Sequence, residues 1–280
     1  MMLPKKLKRE PLIEAIWTIG VKFHEGKAEL IPGLLYSYLK ARLKTVNMET
    51  KPHHDIPSTV RSKDPVLSKV PHTVFNLESS SFFWKISDES VSISSVKPYA
   101  GWEALYEEIK SLMRLLLSEE LIVSVSWISF RYIDLIEREY MEGLEGLKLE
   151  LKLGEWTLED SRVLVNIEKP IEEYICRLTI ISPAEVSIRN EYLSGCLIDT
   201  EVYLQMKEEK PSEEYILDKS TQMHDLAKVL GRKRPNIENL AGILQKYAKP
   251  DIREREVDIA WQSFADEWRQ KNNLSLDVYY

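Results

Sequence analysis

The chain has 280 residues, 44% of them hydrophobic and 30% charged, with a formal net charge of −7. That balance suits a globule able to bury a sizeable core and excludes a disordered chain or one that needs disulfides to fold. The acidic surplus gives no bulk attraction to nucleic acid or anionic membrane, and no run approaches the roughly 18 apolar residues of a membrane helix.

The segment from Met1 to Glu10 is basic but lacks an apolar stretch, so no secretory signal and a cytoplasmic setting are expected. Residues 11–23 then alternate. Ile13, Ala15, Trp17, Ile19, Val21 and Phe23 share one face, and Glu14, Thr18 and Lys22 the other, with Leu12 and Ile16. This predicts a long strand with one buried face. Residues 30–44 follow as a helix with Pro32 in its first turn. Residues 47–71 carry Pro52, Pro57, Pro65 and Pro71 and read as a long irregular connection.

Short strands are expected at 74–78, 82–86 and 91–96. A helix at 101–118 comes next, with Leu105, Ile109, Leu112, Met113 and Leu116 at spacings of three and four. Residues 121–136 are apolar on both faces, as a central strand would be. Further strands are expected at 147–153, 162–168, 173–182 and 197–206, and helices at 213–230, 236–248 and 253–271. Val257, Trp261, Phe264 and Trp268 fall on one face of the last. Strand runs joined by short turns predict an α+β fold of mostly antiparallel sheets packed with helices, with a helical C-terminus. The expected organisation is a single domain, 1–280, of two similar, intimate lobes, 1–140 and 146–280.

No GxSxG elbow, GxGxxG fingerprint or phosphate loop occurs, and ten glycines are few for such loops. His53, His54, Asp55 and His72 do not match zinc-ligand spacings, so neither a metal nor a cofactor is expected. Cys176 and Cys196 read as buried thiols, with a cross-strand disulfide as the alternative.

The polar candidates are few. Arg131 and Asp134, three apart on the central strand, point to opposite faces and cannot form one dyad. Each needs a partner of its own, such as Glu14 for Arg131, or a cleft to face. Tyr99 and Trp102, at a helix entry, either present aromatics to a ligand or plug a helix–sheet core. His224 reads as a helix residue touching sheet or solvent rather than a general base. Arg232 and Arg234 belong to the basic run 231–235, which either caps a helix or contacts phosphate.

Four segments together resemble a family. They are Pro11-Leu12-Ile13-Glu14-Ala15, Pro32-Gly33-Leu34-Leu35, Pro98-Tyr99-Ala100-Gly101-Trp102-Glu103 and Phe130-Arg131-Tyr132-Ile133-Asp134. In order and spacing they are similar to an uncharacterised family of prokaryotic proteins, sporadically distributed among genomes. Residues 215–229, with His224, are similar to that family's later helix. The resemblance implies no activity and no catalytic residues; its patchy distribution implies a mobile-element or defence setting.

Two functional readings follow. One is a non-enzymatic binding or interaction protein, an accessory or sensor component with a protein partner or self-association. The other is an enzyme on a nucleotide or nucleic acid, which requires Arg131 or Asp134, His224 and the 231–234 run to meet in one pocket. A weaker third, single-stranded RNA on an open sheet face, needs Phe130, Tyr132 and Tyr203 exposed beside basic groups.

Overall fold

In a computed structural model the chain is described over residues 11–24, 27–61, 63–64, 66–77, 81–118, 121–138, 162–188, 191–207 and 210–232. The strand expected at 147–153 and the helices expected at 236–248 and 253–271 lie outside these residues.

Nine strands form one antiparallel sheet in the order β2-β3-β4-β5-β1-β6-β9-β8-β7. Their spans are β1 Leu12–Phe23, β2 Asn47–Thr50, β3 Thr73–Asn76, β4 Phe82–Ile86, β5 Ser90–Val96, β6 Ile122–Glu137, β7 Val163–Ile171, β8 Tyr174–Ile188 and β9 Glu191–Gln205. With the described helices α1 Ile31–Arg42, α2 Ser58–Arg61, α3 Trp102–Ser118 and α4 Glu213–Arg232, the fold is α+β. Strands of both expected lobes enter the same sheet and meet where β6 pairs with β9.

One face of the sheet carries α1, α3 and α4. Ala15, Trp17, Ile19 and Val21 of β1 join Ile128 and Phe130 of β6 in one core with Leu35 and Leu39 of α1 and Ile216 and Met223 of α4. The stripe of α3 is fully buried there, with Leu105, Ile109, Leu112, Met113 and Leu116 all at 0% exposure. The Trp17 indole N–H donates to Ser220 Oγ at 2.8 Å, and that hydroxyl donates to the Ile216 carbonyl at 2.7 Å. Burial of an indole is thereby reconciled with its polar edge, and α4 is pinned to the central strand.

Two sequence expectations are corrected. Ile13 does not share a face with Ala15 and Trp17. The β1–β6 register shifts between Leu12 and Glu14, a bulge that sends Leu12 to the main core. Ile13 instead packs with Leu135 and Ala184 in a smaller cluster on the other face. The proline-rich connection is also less irregular than expected. It contains the edge strand β2, the helix α2 and two 3-10 turns, Pro52–Asp55 and Leu67–Lys69. Arg61, only 6% exposed, orders it. Its guanidinium donates to both Asp88 carboxylate oxygens, at 2.7 and 2.8 Å, and to the carbonyls of His54 and Ile56, at 2.9 and 2.6 Å. A buried charge so completely bonded ties the connection to the β4–β5 turn.

Candidate functional site

Strand β6 divides the candidate residues between the two faces of the sheet. On the helix side, the candidates Tyr99, Trp102 and His224 gather around Phe130 and Tyr132. Gly101, at φ +96, makes the turn that starts α3 at Trp102. The His224 ring lies flat on the Trp102 indole, centroids 4.1 Å apart and planes 3° apart. Phe130 and Tyr132 meet the same imidazole edge-on, and Tyr99 meets Tyr132 edge-on at 6.3 Å. Tyr132 Oη and His224 Nδ1 share a hydrogen bond of 2.6 Å.

His224 is 5% exposed. Its Nε2 stands 3.9 Å from Asp225 Oδ1. Burial raises the Asp225 carboxyl above its ordinary range, with Lys228 pulling the other way. A tyrosine–histidine pair can relay a proton, but here one imidazole face is stacked and the edges are packed, which leaves a substrate no approach. The cluster fastens the start of α3 and the middle of α4 to the sheet.

The other face carries no helix among the described residues. Arg131 points here, and its Nε donates to Asp199 Oδ1 at 2.7 Å while Nη2 bonds Oδ2 of the same carboxylate. Glu14, the partner expected from the sequence, is engaged instead by Lys85 at 2.7 Å. The ion pair therefore forms with a different carboxylate: Glu14 on β1 and Asp199 on β9 both stand opposite Ile133, diagonal to Arg131, and Asp199 takes the guanidinium while Lys85 takes Glu14. Asp134, three residues on, has the Tyr132 parity and stands opposite Leu12 and Ile198, on the helix side.

Beside Arg131 the open face joins Tyr203 to Arg177 and Trp127, which no sequence motif marks. Arg177 donates to Glu168 at 2.8 Å and to Glu201 at 3.2 Å, and its guanidinium covers the Tyr203 ring at 5.2 Å. Tyr203 in turn stacks on Trp127, centroids 5.7 Å apart and planes at 28°. Its hydroxyl donates to Gln205 Oε1 at 2.6 Å, and Gln205 Nε2 donates to the Ser126 carbonyl at 2.8 Å. The Trp127 indole lies over Gly20 on β1, where a Cβ would run into the ring. A glycine in the middle of a long strand is the sequence signal that marked this seat.

Arg131 and His224 thus stand on opposite faces, so a catalytic set containing both does not form. Of the residues named for an RNA-binding face, only Tyr203 is on the open side; Phe130, at 0% exposure, and Tyr132 are on the helix side. Arg232 ends α4 and Arg234 lies outside the described residues. Among the described residues no group of three or more His, Cys, Asp or Glu is placed to hold a metal ion. No helix among them is long and apolar enough to cross a membrane. Cys176 and Cys196 are free and buried, and burial pushes the Cys176 thiol up to about 11. Cys176 stands opposite Val202, so the two cysteines are roughly 20 Å apart along β9, far beyond disulfide reach.

No family model and no curated protein matches the chain.

Proposed function

We propose that the chain is a non-enzymatic interaction protein that receives a protein partner on the sheet face that carries no helix among the described residues. In the setting that the resemblance implies, it would serve as an accessory or sensor component of a mobile-element or defence locus. The reading is carried by the Trp127–Tyr203–Arg177 stack, which lies on β-strands and is held by Gly20 and Gln205. Tryptophan, tyrosine and arginine are the residues that most often dominate binding energy at protein interfaces, and rigid strands hold them at little entropic cost. The carboxylates of Glu168, Glu201 and Asp199 neutralise the two arginines, which turns the face away from phosphate chains and towards a protein surface.

The test is recovery of the native protein from its own cells, with bound proteins identified by mass spectrometry, beside a Trp127→Ala/Tyr203→Ala variant. A stoichiometric partner that the variant loses while keeping its circular dichroism spectrum supports the reading. A strictly monomeric chain that retains no partner, or a partner held equally by the variant, overturns it.

A further inference from the structure

The open face has a pattern of its own across its last four strands. Reading from β6 through β9 and β8 to β7, one row of cross-strand neighbours is Arg131, Glu201, Arg177 and Glu168, a ladder of alternating sign. The next row towards the Glu137 end of β6 is Ile133, Asp199, Thr179 and Asn166, and the one after it Leu135, Leu197, Ile181 and Leu164. On the other side of the ladder stand Ser129, Tyr203, Ile175 and Pro170.

We infer that this face binds a second copy of the same chain, the two sheets stacking about a two-fold axis parallel to the strands, between β9 and β8. The inference rests on the reading of the open face as an interaction surface, and it names the partner.

The pattern selects this arrangement. A two-fold axis along the strands reverses the order of the rows' members, so β6 of one copy lies over β7 of the other and β9 over β8. Arg131 then faces Glu168 of the second copy, and Glu201 faces Arg177. In the polar row Asp199 comes opposite Thr179, an acceptor against a donor. In the apolar row Leu197 comes opposite Ile181, and the exposed Leu164, at 69%, lies over the patch formed around the buried Leu135. Tyr203 meets Ile175. Opposite charges meet along the whole ladder, while the flanking rows match in part: Ile133 comes opposite Asn166 and Ser129 opposite Pro170. A two-fold axis at right angles to the strands, centred on the ladder, would set Arg131 on Arg131 and Glu201 on Glu201. The ladder is within reach of a partner: the side chains of Arg131, Arg177 and Glu168 are 42%, 37% and 55% exposed. Stacked sheets sit about 10 Å apart, a distance that such long side chains bridge.

The experiment uses the full chain and light scattering after size exclusion. The wild type is expected to be a dimer that weakens as salt is raised. Arg177→Glu alone and Glu201→Arg alone each set like charges together and lower the dimer affinity roughly tenfold or more. An equimolar mixture of the two variants restores a dimer. Glu201 of the first then faces Arg177 of the second, and the two introduced charges face each other. Neither variant retains its in-chain Arg177–Glu201 pair, so only contact between chains explains the rescue. Leu164→Asp, at a surface position, is expected to give a folded monomer and stands in if a charge variant fails to fold. A monomeric wild type, dimeric single variants, an unrescued mixture or a dimeric Leu164→Asp overturns the inference. A monomer that still holds a foreign partner through Trp127 and Tyr203 overturns it and leaves the interaction reading standing.

Discussion

Phe130 and Arg131 are consecutive residues of one strand, and they do opposite work. Phe130 is sealed beneath α3 and α4 in an aromatic cluster that ends on His224, whereas Arg131 stands on the opposite face in a network of paired charges. Both faces are rich in aromatics and polar groups, so composition does not separate them. What separates them is cover. Under the helices the polar atoms of Tyr132, His224 and Trp17 are spent on one another or on α4, and the rings pack on all sides. On the open face Trp127, Tyr203 and Arg177 are stacked on one another, and no described helix covers them.

Substitutions on the two faces should break this comparison or sharpen it. The largest effect is expected from Phe130→Ala, which empties a fully buried site and should cost about 3–5 kcal/mol in urea unfolding. Arg131→Ala, one residue along, removes a part-exposed ion pair and should cost about 1 kcal/mol or less. Equal losses would mean that the two faces are not distinct in energy.

Gly20→Ala should come between these, at about 1–3 kcal/mol, since the added methyl displaces the Trp127 indole from its seat. Its larger consequence should be loss of whatever the open face holds, seen as loss of the retained protein. Retention at wild-type levels would separate the indole's position from binding.

The smallest effect concerns pH. Burial raises the Asp225 carboxyl in the fold, so as pH rises from acid the unfolded chain gives up this proton first and folding stability falls. The loss begins near the ordinary carboxylate range and is complete above the raised value. Asp225→Asn should therefore match the wild type near pH 3 and exceed it at pH 7 in urea midpoint. A variant less stable than the wild type at pH 7 would show that the carboxylate is instead supported by Lys228.

Periodicity made most of the elements legible. The alternation in β1 and the three-and-four spacing in α3 depend only on local geometry, and α3 begins and ends where the pattern says. The bulge at Ile13 was hidden because it arises from the register between β1 and β6, a property of two strands rather than one. Arg131 stood out as a charge on a central strand, but its partner depends on which strand lies beside β6, and that neighbour, β9, is distant in the sequence. The proline-rich connection was misread for a similar reason, since the order it has comes from Arg61 reaching Asp88 in a turn of another hairpin. Trp127 and Arg177 carried no mark in their own strands, and the one signal, Gly20, lies on β1. Only their meeting with Tyr203 across β6, β9 and β8 distinguishes them from other surface residues.

The place of β1 has a consequence for synthesis. This strand leaves the ribosome before either of its neighbours, since it sits between β5 and β6, both made later. Until β6 emerges, the nascent chain carries a long apolar strand with an open edge, and the sheet cannot close around its own centre. Chains released before residue 137 should therefore be sticky and short-lived, because one side of their central strand has nothing to pair with.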